Sequence, residues 1–368
     1  MSTNACDDGQ LDRHLGLFDA AVIGLGSMVG AGIFAALAPA AMAAGSGLLL
    51  GLALAAVVAY CNATSSARLA ARYPQSGGTY VYGRERLGDL WGYLAGWGFV
   101  VGKTASCAAM ALTVGYYAWP AQAHLVAVAA VVALTAVNYV GIQESVWLTR
   151  GIVAVVLAVL VAVVVACFGT GTAQAARLDI GSDATLGGVL QAGGLLFFAF
   201  AGYARIATLG EEVSDPKRTI PRAIPLALGI TLVVYAAVAV AALAFLGPDQ
   251  LGHAAAPLVA AVGAAGVPAL APVVRVGAAI AALGSLLALI LGVSRTTLAM
   301  ARDRHLPHIL AAVHPRFKVP HRAELAVGLV QAEGFGMKAL LSGTMWWTEV
   351  GGSNSRTRDY AAGYAVRA

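Results

Sequence analysis

Eight apolar stretches divide the chain, at roughly 18–44, 46–66, 90–118, 121–141, 147–169, 190–210, 223–247 and 272–300. Each is close to the ~20 residues that a helix needs to cross a bilayer. Hydrocarbon offers no partner to a backbone N–H or C=O, so a chain of this kind must satisfy its backbone within helices or a closed barrel. Charged residues are 11% of the 368 and hydrophobic ones 59%, whereas soluble domains carry about 25% charged residues. The pattern predicts an all-α polytopic membrane protein.

The basic residues set its orientation. One set of loops holds Arg68, Arg72, Arg84 and Arg86, then Arg150, then Lys217, Arg218 and Arg222, then Arg302, Arg304, Arg316, Lys318 and Arg322. The opposite set holds Arg177 and Arg275 beside Asp179, Asp183 and Asp249. An excess of Lys and Arg marks cytoplasmic loops. Residues 1–17 are therefore expected to be a cytoplasmic N-terminal segment of the plasma membrane protein; their acids Asp7, Asp8 and Asp12 do not suit a cleavable signal peptide. The net charge of +5 reads as topology, and no nucleic-acid partner is expected. Cys6, Cys61, Cys107 and Cys167 show no disulfide or metal spacing and read as small buried hydrophobes. Trp91, Trp97, Trp119 and Tyr116 read as an interfacial belt.

The first span is the least ordinary. VIGLGSMVGAGIF, Val22 to Phe34, carries Gly24, Gly26, Gly30 and Gly32, each about 1 kcal/mol worse than alanine inside a helix. A soluble alternative exists, since the glycines resemble a dinucleotide-binding turn. That fold needs an acid about 20 residues on, and no Asp or Glu occurs between Asp19 and Glu85. A helix interrupted at membrane depth frees backbone groups, which is tolerated only where they are buried in protein or line a cavity. Half-helix ends then suit the two charges of an α-amino acid. The sixth span repeats the device, with Gly202 among aromatics in FFAFAGY, Phe197 to Tyr203. Paired interruptions of corresponding rank point to an inverted-repeat transporter.

At these residues the chain resembles the amino acid–polyamine–organocation permeases. GSMVGAGIF (Gly26–Phe34), RYPQSGGTYVYGRERLG (Arg72–Gly88), FFAFAGYARIATLGEEVSDPKRTIPRAI (Phe197–Ile224) and LAMARDRHLPHILAAVHPRFKVPHRAEL (Leu298–Leu325) follow the family's order and cover about nine-tenths of the chain. The resemblance implies a five-plus-five inverted repeat with discontinuous first and sixth helices. It implies alternating access for an amino acid or related amine, coupled to H+ or Na+, with no other cofactor and no enzymatic activity. The substrate carboxylate would meet N–H groups around Ala31 and Gly32, within Ser27, Met28, Gly30, Ala31 and Gly32. Its amino group would meet carbonyls of Met28 and Ala201, beside Gly202. Phe198 and Phe200 would form an aromatic lid.

Charges inside a membrane are functional candidates because they are costly there. Lys103, in the third span, falls near the family's contact with the substrate side chain. Lys103, Arg205, Glu211 and Glu212 are coupling or gating candidates, with Arg205 expected to pair with Glu211 or Glu212. Glu144 and Arg150 are expected to be solvated. The sequence also departs from the family. Where some relatives carry a lysine in the fifth span, this chain has Val156; where cation-selective relatives carry an acid, it has Ala204. A neutral or acidic substrate is expected.

After Glu324 the apolar run LAVGLV stops at Gln331, and residues 332–368 contain no apolar run of spanning length. The expected organisation is a permease core over 18–331, with about eight transmembrane helices, a stub of the ninth and an incomplete second repeat. Residues 332–368 would be an atypical C-terminal tail. A second reading is therefore a non-transporting remnant, inert or partner-binding in the bilayer. A membrane enzyme is disfavoured, because no nucleophile–base pair or His/Cys/Asp/Glu cluster stands out and His305, His308, His314 and His321 fall in one link.

The loop asymmetry yields a first test. Cysteines introduced at Ser76 and Ser214 should be protected from an impermeant thiol reagent in intact cells, and one at Asp249 should be labelled. Labelling at Ser76 from outside would reverse the orientation.

Overall fold

The computed structural model describes residues 15–73, 78–139, 146–170, 173–207, 213–314 and 319–341. Among them the fold is helical, with one isolated bridge between Leu15 and Val213. Among the described residues, eight stretches are long and apolar enough to cross a membrane: Leu17–Ala35, Leu37–Arg72, Asp89–Ala118, Pro120–Tyr139, Trp147–Gly169, Leu186–Ala207, Pro216–Gly252 and Pro268–Arg302.

The first span divides into α1 (Leu17–Met28) and α2 (Ala31–Ala35), with Val29 and Gly30 outside helical geometry. Ala36 is itself helical, so α2 runs almost directly into α3 (Leu37–Ala44). Then come α4 (Leu48–Arg72), α5 (Thr79–Leu87), α6 (Asp89–Ala118), α7 (Ala123–Tyr139) and α8 (Val146–Gly169). The second half opens with α9 (Leu186–Phe200), a 3₁₀ turn at Ala201–Tyr203 and α10 (Ala204–Ala207). It continues with α11 (Pro216–Gly252), α12 (Pro257–Ala264), α13 (Ala271–Arg302) and α14 (His321–Leu341). The sixth-span interruption is thus a tightening into one 3₁₀ turn, milder than the break at Val29–Gly30. Helix α14 continues ten residues past Gln331, where the apolar run ends.

Small residues hold the bundle together. On α4, Ala55, Ala59, Ala63, Ala67 and Ala70 are buried, a spacing that keeps them on one helix face. That face meets α9 and α11, and the lack of side-chain bulk lets the backbones approach. Val57, Val58 and Tyr60 are exposed instead, as lipid-facing positions should be. Trp91, Trp97 and Trp119 are also exposed, in keeping with the expected belt.

Two expectations are corrected here. Cys107 and Cys167 are buried, but Cys61 is exposed, because it lies off the packed alanine face. Arg150 is not simply solvated. It forms an ion pair with Asp19 in the first turn of α1 and lies over the Trp147 ring, 4.8 Å from its centroid. Glu144 lies outside the described residues, as do Cys6 and the proposed tail beyond Leu341.

The turn between α3 and α4 is fixed from a distance. Asp183, in the segment before α9, accepts from the Ser46 N–H at 2.7 Å and from the Ser46 hydroxyl at 2.6 Å. The Ser46 hydroxyl and N–H hold the Asp183 carboxyl below its usual pKa. A depressed carboxylate stabilises the fold above the unfolded pKa, about 3.9 for Asp, and loses that contribution as pH falls through the lower folded value. Asp183→Asn should cost about 1 kcal/mol at neutral pH and flatten the acid limb of the melting temperature in detergent between pH 5 and 3, taken as roughly the range around that unfolded pKa. Identical acid limbs in variant and wild type would remove Asp183 from the account.

Candidate functional site

The two interruptions meet. A Cβ on Gly202 would lie 2.3 Å from the Ser27 carbonyl oxygen and 2.6 Å from the Met28 nitrogen. The 3₁₀ turn therefore rests directly on the last peptides of α1. A Cβ on Gly32 would lie 2.5 Å from the Ala199 Cα, so α2 is seated against the backbone of α9. These glycines are first of all contact residues. Even alanine at Gly32 would push α2 off α9, so a bulky substitution there disturbs packing before it touches any ligand.

The freed carbonyls have partners from other helices. Tyr235 of α11 donates its hydroxyl proton to the Met28 carbonyl at 2.5 Å, with the Ala199 carbonyl 3.2 Å from the same oxygen. Ser285 of α13 donates to the Gly26 carbonyl at 3.0 Å. Lys103, half-buried midway along α6, donates from Nζ to the Ala201 carbonyl at 3.3 Å. Tyr117, near the end of α6, donates to the Phe34 carbonyl at 3.2 Å. On the opposite side of the break, α2 presents the N–H groups of Ala31 and Gly32, which have no acceptor within their own helix.

The residues singled out in the sequence fall into three groups. Met28, Gly30, Ala31, Gly32, Lys103, Ala201 and Gly202 converge on the junction of the interruptions. Ser27 adjoins it, but its hydroxyl donates back to the Ile23 carbonyl at 3.0 Å. The two phenylalanines separate: Phe198 is half-buried against the cluster that holds Ala31 and Cys107, whereas Phe200 is fully buried and stacks on Tyr235 at 5.1 Å. Phe200 thus belongs to the packing behind the break, and Phe198 alone borders the face towards α6. Arg205 is half-buried in α10. Glu211 and Glu212 lie outside the described residues. Val156 is buried in α8.

Below the junction lies a cavity of about 130 Å³ bounded by Asn62 and Ser66 of α4, Tyr82 of α5, Phe99 of α6, Tyr203 and Thr296 of α13. Phe99 precedes Lys103 by one helical turn, and Tyr203 belongs to the same 3₁₀ turn as Ala201. The cavity floor is braced by α5. Tyr82 donates to the Ala207 carbonyl at 3.2 Å, and Tyr80 donates to Asp303 at 2.6 Å, within 3.0 Å of His305 Nδ1. Burial, then the bond to Asp303, pushes the Tyr80 phenol up to about 12. Arg84 forms an ion pair with the same Asp303.

Tyr235 and Ser285 did not stand out in the sequence. Each shares its apolar span with other hydroxyls, Tyr235 with Thr231 and Ser285 with Ser294, Thr296 and Thr297, so nothing in the span singles it out. Tyr235→Phe keeps the ring on Phe200 but leaves the Met28 carbonyl without its donor. It should lower stability by about 1–3 kcal/mol, read as a lower melting temperature in detergent. An unchanged melting temperature would mean that Tyr235 does not support the break.

Comparisons with known proteins agree with this architecture. The model of the amino acid permease family matches residues 19–341. An uncharacterized transporter of Mycobacterium tuberculosis is 81% identical over 323 residues, covering 88% of this chain and 73% of that protein. The branched-chain amino acid permease BcaP of Bacillus subtilis is 27% identical over 346 residues, covering 88% of this chain and 74% of the permease. The human (Homo sapiens) cationic amino acid transporter 4 is 29% identical over 348 residues, with coverages of 88% and 55%. Among solved structures, MhsT in complex with L-phenylalanine superposes with a TM-score of 0.63 at 15% identity, covering 88% of this chain and 80% of that one. That likeness carries the fold. By its helices, its paired interruptions and the match over 19–341, this chain belongs to the amino acid permease family.

Proposed function

We propose that the protein is a secondary active transporter that moves a neutral or acidic amino acid across the cytoplasmic membrane by alternating access, with its N-terminus inside and its transport coupled to an ion. The observation that carries this reading is the contact between Lys103 Nζ and the Ala201 carbonyl. That carbonyl is the acceptor expected for a substrate ammonium, and a tethered ammonium already occupies it. An arriving amino acid would take over the Ala201 carbonyl with its own ammonium and release Lys103. The released lysine then faces the substrate side chain. A carboxylate there gains an ion pair, a neutral group is tolerated, and a cationic group meets Lys103 and Arg205 with Ala204 in place of an acid.

The names of the relatives do not decide the substrate. BcaP is named for branched-chain amino acids and the human relative for cationic ones, at nearly equal identity to this chain. The choice rests on the site. The N–H groups of Ala31 and Gly32 suit the substrate carboxylate, as anions suit a helix N-terminus. Phe198 borders the same space, and the cavity at Asn62 and Tyr203 would serve as the inner exit.

Radiolabelled uptake into proteoliposomes tests the assignment with neutral, acidic and basic amino acids. Lys103→Met should depress uptake of acidic relative to neutral substrates by about tenfold or more, the equivalent of 1.4 kcal/mol or more in discrimination. Basic substrates should improve in the variant. A variant with the wild-type substrate profile would make Lys103 a structural cation and would remove the basis for an acidic or neutral preference.

A further inference from the structure

One set of buried polar groups lies apart from the junction and takes no part in holding it. Glu324, in the first turn of α14, has no exposed surface, and neither carboxylate oxygen has a hydrogen-bond partner among the described residues. Two turns further along α14, about 10 Å, Gln331 is 2% exposed with both amide atoms in the same condition. Between them Gly328 lets α7 approach: a Cβ there would lie 2.7 Å from the Thr135 hydroxyl oxygen. Thr135 of α7 and Thr297 of α13 each bury a hydroxyl without a hydrogen-bond partner among the described residues, and Asn138 of α7 donates to the Leu287 carbonyl of α13 at 3.4 Å. A polar seam thus runs between α7, α13 and α14 inside an otherwise apolar bundle.

The seam has a direction. At its inner end His321 meets His314 edge-on at 5.4 Å and Tyr139 at 6.2 Å, at the head of α14. At its other end Gln331 lies beside the thiol of Cys107, and Cys107 stands one helical turn from Lys103. Glu324 is therefore placed between a histidine pair in the link and the lysine at the Ala201 carbonyl.

We propose that Glu324 is a proton-binding site, and that the proton it holds is the one exchanged across the seam during transport. A carboxylate removed from water with no hydrogen bond to either oxygen is costly in its charged form, and the neutral acid is the form that such a place accepts. Among the described residues the charged and titratable groups around it are few. Arg295 of α13 acts on it by Coulomb attraction without forming an ion pair with it among the described residues. The elements packed against α14 also carry Cys107 and Lys103 on α6, Tyr139 on α7, Arg302 on α13 and His308 in the turn at His308–Ala311. On its own helix and link stand His321, Arg322 and His314. Arg322 turns outward and donates to the Ile309 carbonyl at 3.4 Å. Lys103, Arg205 and the acids of the link at 211 and 212 are not needed for this role.

The inference about exchange rests on the transport reading; the inference about proton binding does not. Infrared difference spectra of the purified full chain, recorded as pH is raised, should show loss of a protonated carboxylic acid C=O band. That band should be absent from Glu324→Gln and present, shifted, in Glu324→Asp. A wild type without such a band near neutral pH overturns the proposal whatever the variants do, and so does an unchanged band in Glu324→Gln. In proteoliposomes, one pH unit of inward proton gradient is about tenfold in proton activity, so steady-state accumulation should rise by up to about tenfold for one coupled proton. Glu324→Gln should accumulate substrate equally with and without the gradient while still exchanging internal for external substrate. A Glu324→Gln variant that still responds to the gradient overturns the exchange role, as does wild-type uptake that follows sodium and ignores pH. A wild type that shows the infrared band and transports none of the amino acids would instead sink the transport reading and leave the proton site standing.

Discussion

The carbonyl groups released where α1 stops at Met28 impose the main demand on the rest of the bundle. In a low-dielectric interior a carbonyl without a donor costs about 1–3 kcal/mol, and here several are released within two turns. Donors reach them from three separate helices: Ser285 from α13, Tyr235 from α11 and Lys103 from α6 at the neighbouring interruption. Each donor must sit at a defined depth and azimuth. The register of α6, α11 and α13 against α1 is therefore tied to a few polar atoms, although the area of contact is almost all apolar.

Close backbone approach makes that arrangement possible. Gly202 rests on the Ser27–Met28 peptide and Gly32 on Ala199, which brings the two interruptions within reach of single side chains. Tyr235 shows the economy of this. One hydroxyl lies within 3.2 Å of carbonyls from both halves of the fold, and its ring is held by Phe200. On the proposed reading, a substrate ammonium would compete with donors already present, so binding would exchange hydrogen bonds and would not create them from nothing. The Lys103 contact is the longest of the set, at 3.3 Å, and belongs to a side chain with many rotamers. It is the easiest of the donors to displace.

The end of the bundle that carries the basic loops is organised by charge. Asp19 and Arg150 join the start of α1 to α8, and Tyr80, Arg84 and Asp303 join α5 to the end of α13. Both groups lie where the helices leave the apolar region, so their charges keep partial contact with water and avoid the full cost of burial. Near them lies the cavity lined by Tyr82, Tyr203 and Thr296. The polar seam around Glu324 is different in kind, since its carboxyl is wholly buried and has no such exit.

By itself the sequence determined that the chain is a helical membrane protein, where its spans lie, and that the first and sixth are interrupted. Those are local properties: the length of an apolar run, the helix cost of Gly30 and Gly32, the scarcity of a charge such as Lys103. It did not reveal which groups satisfy the interruptions. Tyr235 and Met28 are separated by 207 residues and Ser285 and Gly26 by 259, and nothing in the sequence separates these two hydroxyls from Thr231, Ser294 and Thr297 in the same spans. Arg150 read as solvated because it falls at the end of a span; its partner Asp19 is 131 residues away. Glu324 read as part of a link, and only the packing of α14 on α7 and α13 shows it to be buried. Hydrophobic spacing fixes each helix in the bilayer, but the rotation and depth of one helix against another depend on contacts between distant residues, and those were decided by the tertiary structure.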